Sequence, residues 1–87
     1  MPAGRSQSKE NHHPGPLWRA RRVAAAATLS EVSYKIKLDI GALSRFERGQ
    51  RDISAAKLAL LEDVVTIALR ERAKALAAAM TVERVAV

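Results

Sequence analysis

Residues Thr28 to Gln50 read TLSEVSYKIKLDIGALSRFERGQ. Thr28-Leu29-Ser30-Glu31 has the form of a capping box: the Thr hydroxyl accepts from the N3 amide, and the N3 Glu reaches back to the N-cap amide. It starts a helix whose inward positions are Val32, Ser33 and Ile36. Lys37 and Leu38 leave that helix. Asp39 then serves as the N-cap of the next, where a carboxylate also suits the helix dipole. This second helix runs from Ile40 to about Arg48, with Leu43 and Phe46 facing in, and Gly49 ends it as a C′ glycine does. Two helices of about two turns each, joined by a short turn, make a helix-turn-helix. Val32, Ser33, Ile36, Leu38, Leu43 and Phe46 set the angle between them, and Ser33 is small because the helices cross beside it.

On the N-terminal side, LWRARRVAAAA from Leu17 is rich in helix formers. Leu17, Ala20 or Arg21, Ala24 and Ala27 or Thr28 line one face at helical spacing. Trp18 is expected to pack at the rim of the core. Residues 1–16 hold three prolines and two glycines with almost nothing apolar. Such a segment buries too little to offset its ordering entropy and reads as a flexible arm.

On the C-terminal side, Gln50 to Ile53 is a loop and Ser54 caps a further helix. Leu58, Leu61, Val65, Ala68, Leu69 and Leu76 form a helical stripe. The β-branched run at Val64-Val65-Thr66 is the one dip in propensity. The chain either breaks there into two helices or runs on as one. A single helix over residues 55–79 would span roughly 37 Å, longer than the rest of the domain is wide, so part of it would need a partner. Thr81 to Val87 are expected to fray. The organisation is an arm (1–16), a helix-turn-helix domain (17–65) and a C-terminal helix (66–87). The fold class is an all-α helix-turn-helix bundle of four to five helices with a flexible N-terminal arm.

Eighty-seven residues bound the chain to one small domain with a marginal core. There is no Cys, hence no disulfide and no thiolate metal site. No apolar run is long enough to span a bilayer, and no apolar signal core is present. The expected location is the cytoplasm, in association with the nucleoid. No catalysis is expected: there is no Cys, the two adjacent His lie in the arm, no Gly-rich phosphate loop is present and the acids are scattered. No metal site and no cofactor are expected. The net charge is +6, and Met1 to Arg51 carries all of it, because bases and acids balance from Asp52 onward. That asymmetry gives the chain a polyanion-facing half and a neutral half.

The stretches LSRFERGQRDIS (43–54), TLSEVS (28–33) and LWRARR (17–22) resemble the phage-repressor-like helix-turn-helix domains: lambda and 434 repressor, Cro and XRE. The resemblance covers about Leu17 to Val65 and implies double-stranded DNA as the partner, with the second helix of the pair in the major groove. It implies a structural ion pair between Arg22 and Glu47. Arg45, Ile40 and Gly41 fall on the base-reading positions, and Arg48 and Gln50 on backbone-contacting ones. An Arg fork binds guanine O6 and N7 together, and Ile40 can pack on a thymine methyl. Lys35, Lys37, Arg48 and Arg51 would supply phosphate contacts, with Arg5, Lys9 and Arg19 adding backbone or minor-groove contact. Three departures stand out. Ile40 and Gly41 have no side chain that hydrogen-bonds a base, so direct readout rests heavily on Arg45. Leu29 replaces a polar phosphate-bonding residue, and Lys37 occupies a turn position where Gly is common. Lys37 therefore either adopts the left-handed conformation at about 1 kcal/mol or the turn is rebuilt.

These residues support a sequence-specific transcriptional regulator, expected to be a repressor of phage, mobile-element or toxin–antitoxin type. Such domains read pseudo-palindromes as homodimers, and Leu69, Leu76 and Met80 on the C-terminal helix offer the surface for one. The competing class is a protein-interaction module, an antitoxin or anti-regulator, that binds a protein partner through the C-terminal helix. A DNA reader needs Arg45, Arg48, Lys35 and Lys37 on one face.

Overall fold

The structure is a computed structural model and describes residues 13–86, with side chains described to Thr81. It contains α1 (Gly15–Ala24), α2 (Leu29–Ile36), α3 (Ile40–Glu47) and α4 (Ala55–Ala86), and no strand among the described residues. The arm expected over residues 1–16, with Arg5 and Lys9, lies outside the described residues as far as His12.

From His13 onward the chain belongs to the fold, and α1 starts earlier than its apolar spacing suggests. Proline suits a first helical turn because it gives up an amide that has no partner there, and Pro16 sits in that turn. His13 completes the start. Its Nδ1 accepts from the Gly15 amide at 2.9 Å. The ring proton is therefore on Nε2, which donates to the Arg51 carbonyl at 3.1 Å. The ring also lies 5.3 Å from that of Phe46.

The inward face of α1 is Gly15, Trp18, Arg22 and Ala25; Leu17, Ala20 and Ala24 are exposed. This corrects the face expected from apolar spacing. Two contacts with α3 decide the rotation. A Cβ on Gly15 would lie 1.8 Å from the Phe46 carbonyl oxygen, so only glycine permits the approach. Arg22, a charged residue, points inward because it meets Glu47. Trp18 is buried in the core cluster, with the Arg21 guanidinium 4.6 Å above its ring.

The local caps follow the sequence. The Glu31 amide donates to Thr28 Oγ1 at 3.0 Å and the Thr28 amide to Glu31 Oε1 at 2.8 Å. The Thr28 backbone bond, and then its side chain, hold the Glu31 carboxyl below its usual range. The Ala42 amide donates to Asp39 Oδ2 at 3.1 Å, and the Lys57 amide to Ser54 Oγ at 3.1 Å.

α1, α2 and α3 end in the same way, with paired 6→1 and 5→2 bonds around a left-handed residue. For α3 these are Gln50 to Arg45 and Gly49 to Phe46; for α2, Leu38 to Ser33 and Lys37 to Tyr34; for α1, Ala27 to Arg22 and Ala26 to Val23. The left-handed residues are Gly49 (φ 76°), Lys37 (φ 57°) and Ala26 (φ 60°). Lys37 thus takes the strained conformation and the turn is not rebuilt. Lys57 on α4 compensates: its Nζ donates to the Ile36 and Lys37 carbonyls at 2.8 and 2.9 Å.

α4 runs unbroken through Val64-Val65-Thr66 and stays helical to Ala86. Packing overrides the propensity dip, because Val65 is fully buried with Leu61 against the other helices. The core comprises Trp18, Val32, Ile36, Leu43, Phe46, Leu61 and Val65, with Leu38, Leu58 and Leu69 partly buried around it. α1 and α2 each pack on both α3 and α4, while α3 and α4 make few close approaches to each other. The four helices therefore form a ring with α3 and α4 at opposite corners. From Arg70 to Thr81 every residue of α4 is exposed.

Candidate nucleic-acid interface

Each residue of a helix advances about 100° around the axis. Ala42, Leu43, Phe46 and Glu47 occupy the buried side of α3. That leaves Ile40, Gly41, Ser44, Arg45 and the capping residue Arg48 on the remaining arc of about 140°. Arg45 and Arg48 are both exposed there, separated by about 60°.

Both ends of α3 are held. At its C-terminal turn, Arg22 Nε donates to Glu47 Oε2 at 2.7 Å and Arg22 Nη2 to Oε1 at 3.0 Å. The remaining nitrogen, Nη1, donates to the Ala27 carbonyl at 2.9 Å. Glu47 is 3% exposed, and both of its oxygens are satisfied by this fork. The forked geometry is what a buried pair needs to offset desolvation. At the N-terminal end, Ser33 Oγ donates to the Leu38 carbonyl at 2.6 Å, which fixes the turn just before the Asp39 cap. Ser33 is therefore more than a small residue at a crossing, since its hydroxyl bridges α2 to the turn.

Near Arg48 the surface is concave. Arg19, Arg48, Ser44 and Leu29 surround a hollow of about 470 Å³ over the Arg22–Glu47 pair. Leu29 packs its side chain partly into the core, which is why an apolar residue is stable at this helix start. Gln50 and Arg51 are exposed in the following loop. Arg51 turns its Nε to the Asp52 carbonyl at 3.1 Å, and its own carbonyl holds His13.

The lysines of α2 sit elsewhere. Lys35 and Lys37 line a second hollow with Ser33, Tyr34 and Leu38. Lys35 also lines a groove of about 630 Å³ between α2 and α4, beside Val32, Ile67, Ala68 and Glu71. It stands about 160° around α2 from Ser33, the residue that faces the turn. The expected single basic face is thus divided: Arg45, Arg48 and Arg19 lie by α3, and Lys35 is turned toward α4. The sequence reading also missed Lys57, Gly15 and His13. Their contacts span 20 to 38 residues of chain, and nothing local marks them.

Among the described residues, no group of three or more His, Asp or Glu could hold a metal ion, and no helix is long and apolar enough to cross a membrane.

No family model matches the chain, and no curated protein matches it closely. The fold does have a solved counterpart. The chain is similar to the crystal structure of the clp gene regulator ClgR from Corynebacterium glutamicum, with a TM-score of 0.59 and 27% identity. The match covers 88% of this chain and 86% of that one. This all-helical architecture is therefore one that a gene regulator also uses.

Proposed function

We propose that this chain is a DNA-binding transcriptional regulator of the Cro-like (XRE) type, acting as a repressor at the nucleoid. The observation that carries the reading is the exposed arc of α3. It presents Arg45 and Arg48 outward from a helix whose two ends are clamped by Arg22–Glu47 and by Ser33 and Asp39. A helix with outward Arg side chains suits the major groove, where Arg reads guanine and neighbouring basic side chains meet phosphates. Arg19, Arg48 and the loop residues Gln50 and Arg51 flank the arc as backbone contacts. Lys35 lies off that surface, on the side toward α4. The likeness to a gene regulator supports the same reading. A mobile-element or toxin–antitoxin setting is what the sequence resemblance implies.

The reading includes a homodimer formed through α4. Leu69, Ala73, Leu76 and Met80 recur at four, three and four residues and continue the line of Leu58 and Val65 past the end of the core. Leu76 and Met80 are 52% and 66% exposed. Because α4 lies across the ring from α3, a second copy can cover this stripe and leave both α3 surfaces open for two half-sites.

The test is a salt-series binding assay on the duplex beside the chain's own coding sequence, with wild type and Arg45→Ala compared. Wild-type affinity is expected to fall steeply as salt rises, and Arg45→Ala to lose about five- to a hundredfold in discrimination. Equal, weak binding of every duplex by both proteins would refute DNA reading through α3. The interaction-module alternative would then be favoured, resting on the same exposed stripe of α4.

A further inference from the structure

Lys57 belongs to the first turn of α4, yet its side chain serves another helix. Its Nζ donates to the Ile36 carbonyl at 2.8 Å and to the Lys37 carbonyl at 2.9 Å. Among the described residues, no other hydrogen bond joins α4 to a different helix or to a turn between helices.

α4 itself gains nothing from this cation. A positive charge in the first turn opposes the helix dipole, and α4 has no acid there to offset it. At the end of α2 the same charge is favourable, because the last carbonyls of a helix lack partners and carry partial negative charge. Ile36 is the last residue of α2, and Lys37 is the left-handed residue that follows it, with φ 57°. The next carbonyl, that of Leu38, accepts from Ser33 Oγ. Asp39 then caps α3. All three carbonyls leading into α3 are thus held by side chains, and Lys57 holds two of them. The link between α2 and α3 is only Lys37, Leu38 and Asp39, so its conformation sets the tilt of α3.

We infer that Lys57 is a specificity-determining positioning residue: by holding the Ile36 and Lys37 carbonyls it fixes the turn into α3, and with it the tilt at which Arg45 meets a base. This rests on the DNA-reading proposal above. Lys57 acts through α3 and touches no base. Without its ammonium the two carbonyls pass to water and the turn loosens. A two-pronged Arg–guanine contact depends on that tilt, whereas phosphate contacts by long side chains position the protein without reading sequence. Discrimination therefore falls and general affinity survives.

The experiment uses the full chain and two duplexes: the site that wild type selects from a randomised pool, and a random duplex of the same length. Wild type, Lys57→Met, Lys57→Arg, Arg45→Ala and the Lys57→Met/Arg45→Ala double variant are compared across a salt series. Lys57→Met keeps the stem and loses the donors. It is expected to lose about five- to tenfold of discrimination, within the range of one Arg–guanine contact. Its binding to the random duplex is expected to stay within about threefold of wild type, with the same salt slope. Lys57→Arg, whose fork can donate to both carbonyls, is expected to restore discrimination. In the Arg45→Ala background, Lys57→Met is expected to change discrimination no further, because an effect exerted through Arg45 disappears with it. Thermal unfolding checks that each form is folded at the assay temperature. Lys57→Gln, which keeps an amide donor without the charge, takes the place of Lys57→Met if that form does not fold. Undiminished discrimination by folded Lys57→Met overturns the positioning role alone. So does a salt slope smaller by about 0.9, which would mark Lys57 as a phosphate contact itself. Failure of Lys57→Arg to restore discrimination, or an equal loss with and without Arg45, also overturns it. Selection of no site by wild type removes the DNA reading and this inference with it.

Discussion

The two halves of α4 carry one sequence pattern and meet two different fates. Up to Leu69 its apolar stripe is taken up by α1 and α2, and Leu61 and Val65 are fully buried. From Arg70 to Thr81 the same stripe continues in register, yet every residue is exposed. The pattern alone therefore does not decide burial. The length of the neighbouring helices does, since α1 to α3 have 10, 8 and 8 residues against 32 in α4. The packed half owes its stability to contacts within the chain. The exposed half is helical on propensity, from its Ala, Leu and Arg residues.

Substitutions can break that contrast, beginning with the ion pair in the packed part. Glu47→Ala leaves Arg22 without its fork and is expected to lower stability by about 3–5 kcal/mol, read by urea or thermal unfolding. Gly15→Ala forces a Cβ onto the Phe46 carbonyl and is expected to cost about 1–3 kcal/mol in the same assay. A near-neutral result would mean that α1 can slide on α3. Ala26→Gly and Lys37→Gly relieve left-handed strain, and each is expected to raise stability by about 1 kcal/mol. The smallest effect is expected in the exposed half. Leu76→Lys should change unfolding free energy by less than about 0.5 kcal/mol at a concentration where the chain is monomeric. A loss there as large as that of Glu47→Ala would erase the distinction between the two halves.

What could be read from the sequence was local chemistry. Thr28, Asp39, Ser54 and Gly49 act on amides or carbonyls within a few residues, so the helix ends around them are legible. The face of α1 was not. Its alanines offer every rotation the same apolar surface, and Gly15 and Arg22 choose among them only through α3. Whether α4 breaks was equally undecided, since Val64 and Val65 weaken a helix in isolation and strengthen it once buried. At the candidate site, Arg45 and Arg48 could be placed on α3 by spacing. The division of Lys35 from the arginines depends on where α4 lies, which is a tertiary fact.

The diagonal placement of α3 and α4 has an evolutionary corollary. The helix that would choose an operator and the helix that would choose a mate have few points of direct contact, so their mutational effects should add with little epistasis. A lineage could then exchange one recognition code for another while keeping its pairing partner, or change partner and keep its code.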